Sequence, residues 1–451
     1  MKEFEKTLPI VDSILKPQEL CNNKIYKWSM YTYLYCQNSQ RYLYNTLTRQ
    51  GFRLEQDEYE IFCALGQSKI TSNQITVNEF LLTLLKWHFI VPEQRDEAEV
   101  YENLIEVIAE LENKNGIIYY TILPTTACNA RCFYCYEEGV KPESMTEETI
   151  EQVISFIEKT KRDGKIILNL FGGEPLLGTK TIDRVLEGLR DRNIEFETYI
   201  TTNGYLFTKS IANHVINDWN CTFIQFSLDG SEDEYNRRKN YVHSEGSAYW
   251  RVLENIKFAY EKKIKINLRC NIDYQNCDKL DEFVADISKI APPTKKVTIT
   301  FAPLYSLQVS KNGCADLWDK CSELHTRIRD MGYAEPMFLN LRKMKVFSCM
   351  AHDVRGCAVI MPSGQLYACE HIIPGTSTGD IWNGLCKEQI VNSLEKSEKA
   401  EGQCRLCEFL PFCTTFKQCP IQKTDCKHSM KNNLDSALRE IILEAETSEA
   451  N

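Results

Sequence analysis

The chain has 451 residues, 43% of them hydrophobic and 26% charged, with a formal net charge of −10. That is the composition of a soluble globular protein with length for about two to four domains, and its acidity excludes a broad electrostatic grip on nucleic acid or anionic membrane. The first nineteen residues mix Lys and Glu without a signal-peptide core, and the richest apolar stretch, residues 80–91, is too short and interrupted to cross a bilayer; the sequence reads as cytoplasmic.

Residues 1–115 open with two aromatic-rich runs, 31–36 and 41–45, separated by polar residues 37–40, a pattern that predicts a β-hairpin. Apolar residues at three- and four-residue spacing predict helices over 54–65 and 77–89. An acidic linker helix over 93–111 is ended by Asn115 and Gly116. Residues 116–303 alternate strands (117–123, 165–171, 196–201, 222–228, 264–272, 297–301) with helices (146–161, 179–192, 209–218, 249–262, 279–290). Parallel strands need such crossovers, so this is an α/β region with a parallel sheet. Periodicity alone does not choose between a doubly wound sheet and a partial barrel. Residues 304–348 read as a helical connector, and 349–451 as a cysteine-rich domain closed by a helix over 432–446.

Cysteine is the anomaly. Of twenty, three lie in residues 1–127, eight in 128–348 and nine between Cys349 and Cys426. In a reducing compartment such clusters are metal ligands rather than bridges. Cys128, Cys132 and Cys135 form a C-x3-C-x2-C loop just after the first strand of the alternation. A [4Fe–4S] cluster takes four ligands, so three leave one iron open, whereas a structural zinc would lack its fourth ligand.

This loop, with aromatic Tyr134 before the third cysteine, resembles that of the radical SAM superfamily. The resemblance implies a partial (β/α)6 barrel. It also implies that S-adenosylmethionine (SAM) chelates the open iron and that an electron from the cluster releases a 5′-deoxyadenosyl radical. Gly172, Gly173 and Glu174 end the second strand and resemble the family's GGE motif, which holds the methionine amino group. Thr202, Asn203 and Gly204, and the run from Ser227 through Asp229 to Gly230, resemble its TNG and SLDG segments. The same resemblance assigns Ser227 and Asp229 to the ribose and methionine end, Arg237 or Arg238 to the carboxylate, and Arg269 and Asn271 of the fifth strand to the same pocket.

The second cysteine field resembles the SPASM extension of peptide-modifying radical SAM enzymes, with Cys349-x14-Gly364-x4-Cys369 as its opening and Cys404, Cys407, Cys413, Cys419 and Cys426 as its second half. The resemblance implies two auxiliary [4Fe–4S] clusters, three clusters in all. Cys404, Cys407, Cys413 and Cys426 would hold the outer one, and Cys349, Cys369 and Cys419, with Cys357 as fourth ligand, the inner one. The family's x3 spacing is x5 here, between Cys413 and Cys419. His352, His371 and His428 read as polar surface residues, and the other nine cysteines as packing residues.

The hairpin and helices over residues 24–90 are similar to the winged-helix domain with which maturases of ribosomal peptides bind a leader as an added strand. Together these resemblances imply a radical SAM peptide maturase that installs a Cys-sulfur-to-carbon thioether in a precursor peptide. Its reductant would be an electron donor such as flavodoxin or ferredoxin. Carbon–carbon cross-linking or epimerisation would use the same motifs. The alternative is an anaerobic sulfatase-maturing enzyme that forms formylglycine.

Overall fold

The computed structural model describes residues 1–66, 68–112, 116–304, 306, 314–334, 336, 341–342, 356–372, 377–386, 402–412 and 426–449. The N-terminal region holds β1 (Lys2–Glu5), α1 (Pro9–Ile14), β2 (Ile25–Trp28), β3 (Thr32–Gln37), β4 (Gln40–Asn45), β5 (Gly51–Leu54), α2 (Gln56–Leu65), β6 (Ile70–Thr71), α3 (Ser72–Thr76), α4 (Glu79–Lys86), β7 (Ile90–Pro92) and α5 (Glu97–Glu112). β3 and β4 are the expected hairpin, and Asn38 and Ser39 at its tip both have positive φ, 49° and 63°, as a tight twisted turn requires. The region carries more sheet than the sequence suggests. β1, β5, β4 and β3 form one sheet, and β6, β2 and β7 a second. Strands of two or three residues leave no period to read.

The central alternation runs β8 (Tyr119–Ile122), α6 (Glu147–Thr160), β9 (Ile166–Leu170), α7 (Thr179–Asp191), β10 (Phe196–Thr202), α8 (Lys209–Asn217), β11 (Cys221–Ser227), α9 (Glu232–Lys239), α10 (Ala248–Glu261), β12 (Lys265–Ile272), α11 (Asp281–Ile290) and β13 (Val297–Pro303). All neighbours from β8 to β13 pair in parallel and in sequence order. The helices cover one face with apolar stripes such as Ile150, Val153, Ile154 and Ile157 of α6 and Ile182, Val185, Leu186 and Leu189 of α7. Gly188 lets those two helices close up, since a Cβ there would lie 2.4 Å from Ile154 Cδ1. On the other face point polar and aromatic side chains: Thr121, Asn169, Tyr199, Gln225, Asn267, Arg269 and Asn271.

α12 (Ala315–Asp330) follows, then β14 (Cys357–Ile360), β15 (Gln365–Tyr367), β16 (Gly379–Asp380), β17 (Gly384–Leu385) and the long α13 (Cys426–Glu449). β14 pairs in parallel with β8, so the cysteine-rich region continues the barrel sheet, and β15 to β17 add antiparallel strands.

α13 lies against the N-terminal sheet, where Tyr33, Tyr35, Tyr42 and Tyr44 pack with Phe409, Phe412, Leu434, Leu438 and Ile442. Thr46 Oγ1 donates to Glu408 O at 2.6 Å. The fully buried Arg49 donates to Thr46 O and Pro411 O, and its guanidinium covers the Phe412 ring at 3.6 Å. Among the described residues no helix is long and apolar enough to cross a membrane.

Candidate active site

The cysteine loop leaves the carboxyl end of β8, the end at which parallel α/β sheets bind ligands. One flank is pinned by Thr125 Oγ1 and Thr126 Oγ1 donating to Glu143 O and Lys141 O, each at 2.8 Å. The other is held by Arg131 N on Lys239 O at 2.9 Å and Val242 N on Asn129 O at 2.9 Å. Cys128 and Cys132 are half-buried and Cys135 is exposed. All three thiols are pushed up, Cys128 to about 11, by burial first. Cys128 is raised further by Glu174 and the other two cysteines.

Three soft donors that resist becoming thiolates on their own fit a group that brings positive charge to them. Among the described residues no three His, Cys, Asp or Glu side chains converge on a single-ion position. Three cysteines on one loop fit an iron–sulfur cube with one iron left open better than a structural zinc, which takes four protein ligands.

Gly172 and Gly173 explain why the next segment sits so close. Gly172 has φ 117°, and a Cβ there would lie 2.4 Å from Thr125 O; one on Gly173 would lie 2.4 Å from Ala127 O. Glu174 N donates to Ala127 O at 2.9 Å, zipping the strand end to the cysteine loop. The Glu174 carboxylate is fully buried and accepts from Thr202 Oγ1 at 2.7 Å, Asn203 N at 2.8 Å and Leu176 N at 3.1 Å. Burial raises its pKa to about 7 despite these donors. Asn203 Nδ2 in turn reaches Asn129 Oδ1 at 2.7 Å within the loop.

The opposite wall is a buried charge network. Asp229 accepts from Tyr134 OH, pairs with Lys239 Nζ at 2.9 Å, and takes Asn271 N and Nδ2 at 2.9 and 3.1 Å. Burial alone would raise its pKa, but Lys239, Tyr134 and Asn271 hold it below the usual value. Ser227 faces the interior opposite Arg269.

Of the two arginines singled out by the motif, Arg238 is buried with its Nη1 lacking a hydrogen-bond partner among the described residues, and Arg237 is exposed. Arg237 is exposed on Glu234 and Gln275, and Arg238 is buried between Glu234 at 2.9 Å and Asp273 at 2.7 Å. The cation that reaches in is Lys239, which motif reading passed over. The signal was there: α9 buries Tyr235, Arg238 and Lys239 as one stripe, three and four residues apart.

Of the second cysteine field, Cys357 opens β14 opposite Tyr119, and Cys369 follows β15, half-buried, with His371 N 3.4 Å from its sulfur. Cys404 is exposed and Cys407 half-buried. Cys349, Cys413, Cys419 and His352 lie outside the described residues; Cys426 begins α13, which also carries His428.

His371 is half-buried rather than exposed. The short turn Glu370–Ile372 folds it back onto Tyr136, ring centroids 4.4 Å apart, and burial lowers its pKa to about 4. The cysteine loop and the cysteine-rich hairpin therefore meet. Of the cysteines read as packing residues, Cys221, Cys270, Cys277, Cys314 and Cys321 are buried, Cys386 is half-buried, and Cys21, Cys36 and Cys63 are exposed.

Comparison with known proteins agrees with this geometry. Residues 122–287 match the Radical SAM superfamily. The radical SAM cyclopropyl synthase TigE of Paramaledivibacter caminithermalis is 24% identical over 395 residues, covering 80% of this chain and 79% of that protein. A probable GTP 3′,8-cyclase of Methanococcus maripaludis is 28% identical over 144 residues, 32% of this chain and 44% of that protein. Among solved structures, anSMEcpe with bound AdoMet and Kp18Cys peptide aligns with a TM-score of 0.56 at 16% identity over 73% of this chain and 99% of its own. Streptococcus suis SuiB bound to precursor peptide SuiA aligns at 0.51 and 16% identity, over 86% of this chain and 94% of its own. At these identities the solved structures share the fold.

Proposed function

We propose that this chain, whose residues 122–287 form a radical SAM domain, matures a ribosomally made precursor peptide. In this reading Cys128, Cys132 and Cys135 hold a [4Fe–4S] cluster, and SAM sits between Glu174 and the Asp229–Lys239 network. The cluster, when bound, supplies the electron that breaks the SAM sulfonium bond. Glu174 is the acceptor for the SAM ammonium, Thr202 and Asn203 orient that carboxylate, and Lys239 and Tyr134 fix Asp229 at the ribose side. Arg238, bound on both sides by acids, keeps α9 in place.

The observation that carries the peptide reading is the fusion of the barrel to flanking regions on both sides. β14 extends the sheet at β8, and the N-terminal sheets seat on α13. SuiB, bound to its precursor peptide, aligns over more of this chain than anSMEcpe does, 86% against 73%. That broader alignment is in keeping with the leader-binding role we propose for residues 1–115 over the formylglycine-forming alternative. Cys357 and Cys369, with the cysteines from Cys404 to Cys426 and Cys349, would carry two auxiliary clusters, and the reduced thiols suit a cytoplasmic enzyme served by a flavodoxin or ferredoxin.

The product proposed is a thioether between a substrate cysteine sulfur and a carbon. The relative named as a cyclopropyl synthase makes a carbon–carbon ring the second outcome. The test is anaerobic incubation with short peptides encoded beside the gene, read by mass spectrometry and thiol alkylation. A peptide that loses hydrogen and one alkylatable thiol supports the thioether; hydrogen loss with the thiol intact supports the carbon–carbon product. No change in any such peptide would contradict the peptide reading.

A further inference from the structure

The turns that carry Cys404 and Cys407 are seated on the N-terminal region. They run Gly402–Leu406 and Leu410–Phe412, with Cys407 N on Cys404 O at 3.2 Å and Leu410 N on Cys407 O at 3.1 Å. Leu410 enters the N-terminal core beside Tyr31, Leu47 and Leu104. Cys407, Phe409 and Phe412 pack with the tyrosines of β3 and β4. Thr46 Oγ1 reaches Glu408 O at 2.6 Å.

Arg49, in the turn between β4 and β5, completes this seat. It is fully buried, and its hydrogen bonds go to carbonyl oxygens, Thr46 O and, at 3.4 Å, Pro411 O, not to a carboxylate. Its guanidinium lies 3.6 Å over the Phe412 ring. Among the described residues Arg49 Nε has no hydrogen-bond partner, and neither has the hydroxyl of Tyr44, which is also fully buried. Burial lowers the Arg49 pKa to about 10, so the group stays a cation at neutral pH. A buried cation and a buried hydroxyl, each with an unused donor, are costly unless a negatively charged acceptor is beside them. The cysteine turns supply one: Cys407 packs in the same group as Tyr44 and Phe412, and Cys413 follows Phe412 in the sequence. Thiolates and an iron–sulfur cluster held by them are anionic, and charge and hydrogen bonds at the sulfurs set its reduction potential.

We infer that Arg49 is a positioning residue for an auxiliary iron–sulfur cluster at Cys404 and Cys407: from the N-terminal region it clamps the turns that carry them and sets a positive charge against their thiolates. The cluster itself rests on the reading proposed above, and an iron count separates the failure of that reading from the failure of this one.

The test uses anaerobically reconstituted full-length protein carrying Cys128→Ala, Cys132→Ala and Cys135→Ala, so that only auxiliary clusters give an EPR signal. Iron is counted per chain, and the reduced signals are followed in a potentiometric titration alongside thermal melting. This parent should hold about eight irons and show two signals. Arg49→Met keeps the bulk and removes the charge. One signal should then become harder to reduce, by about tenfold in its oxidised-to-reduced ratio or about 59 mV for one electron, while the other stays in place. Arg49→Lys should restore part of the shift, and Tyr44→Phe should move the same signal the same way by less. Cys404→Ala should abolish that signal and spare the other. Loss of that signal in Arg49→Met, regained in Arg49→Lys, would support the same assignment. Parent potentials in Arg49→Met and Tyr44→Phe would overturn the inference and leave the two donors to buried water. So would a lowered Tm in Arg49→Met with both potentials unmoved, which makes Arg49 a packing residue only. A parent without iron would remove the auxiliary clusters themselves, and the inference with them.

Discussion

The barrel mouth and the seam between the N-terminal sheet and α13 are both buried, yet they are held by opposite means. At the mouth, the ionisable groups of Glu174, Asp229 and Lys239 are enclosed, each held by directed hydrogen bonds or an ion pair. At the seam, four tyrosines of β3 and β4 pack on apolar residues of the helix, and the polar groups there donate to backbone carbonyls or to acidic side chains at its edge such as Asp435 and Glu446. Charge networks fail abruptly when one member is removed, because the partner is left uncompensated. Apolar seams fail in proportion to the volume lost.

The largest effect should follow removal of a charge at the mouth. Lys239→Met leaves Asp229 buried and unpaired, and breaking a buried pair costs about 3–5 kcal/mol, so the variant should melt well below wild type and lose SAM cleavage. A Tm within error of wild type would show that Asp229 is not dependent on Lys239.

Leu438→Ala tests the seam. Leu438 is fully buried against the tyrosine face, and the cavity should cost about 2–5 kcal/mol. SAM affinity measured below the new melting range should be unchanged. A drop in SAM affinity there would mean that the seam and the mouth are energetically linked, not separate as the two packing modes imply.

Glu174→Gln sharpens the mouth further. It keeps the shape, sets an amide NH2 against one of the donors that the carboxylate accepts from, and removes the charge proposed for the SAM ammonium, worth about 1.5–3 kcal/mol or about 10- to 100-fold in Kd. The pH dependence follows from the same residue. Its pKa in the fold is raised from the ordinary 4.5 to about 7 by burial. The folded protein therefore keeps a proton that the unfolded chain has lost. That stability is full below pH of about 4.5 and is lost as pH rises through about 7. If SAM binds as proposed, with its ammonium on the Glu174 carboxylate, its affinity should fall as pH drops through about 7, and Glu174→Gln should flatten that profile. A wild-type profile that is flat across this window would remove Glu174 from the ammonium site.

The smallest effect belongs to Arg405, a partly exposed bridge from the Gly402–Leu406 turn to Asp96 and Glu102 at α5. Arg405→Ala should leave the Tm unchanged within error, since water screens such pairs.

The same contrast sets what the sequence could reveal. That Cys128, Gly172, Glu174 and Asp229 gather at one end of the sheet was legible because short glycine and polar motifs follow strand ends, and the six parallel strands because buried alternation is local. Lys239 was missed because motif spacing was followed instead of the stripe shared with Tyr235. The β14–β8 pairing was missed because nothing local tells a short strand which sheet it will extend. The seam was illegible for the same reason: Tyr33 meets Asp435 at 2.6 Å across 402 residues of chain, a contact decided by tertiary fit. His371 looked like a surface residue because one short turn, without periodicity, carries it inward.

The most direct test of the central claim is reductive cleavage of SAM by anaerobically reconstituted protein, with and without the combined Cys128→Ala, Cys132→Ala and Cys135→Ala changes, alongside an iron and sulfide count. The account predicts cleavage by the wild type, its complete loss in the triple variant, and a fall of about four irons with the remaining cluster signal intact. Cleavage that survives the triple change, or zinc in place of iron at those cysteines, would contradict it.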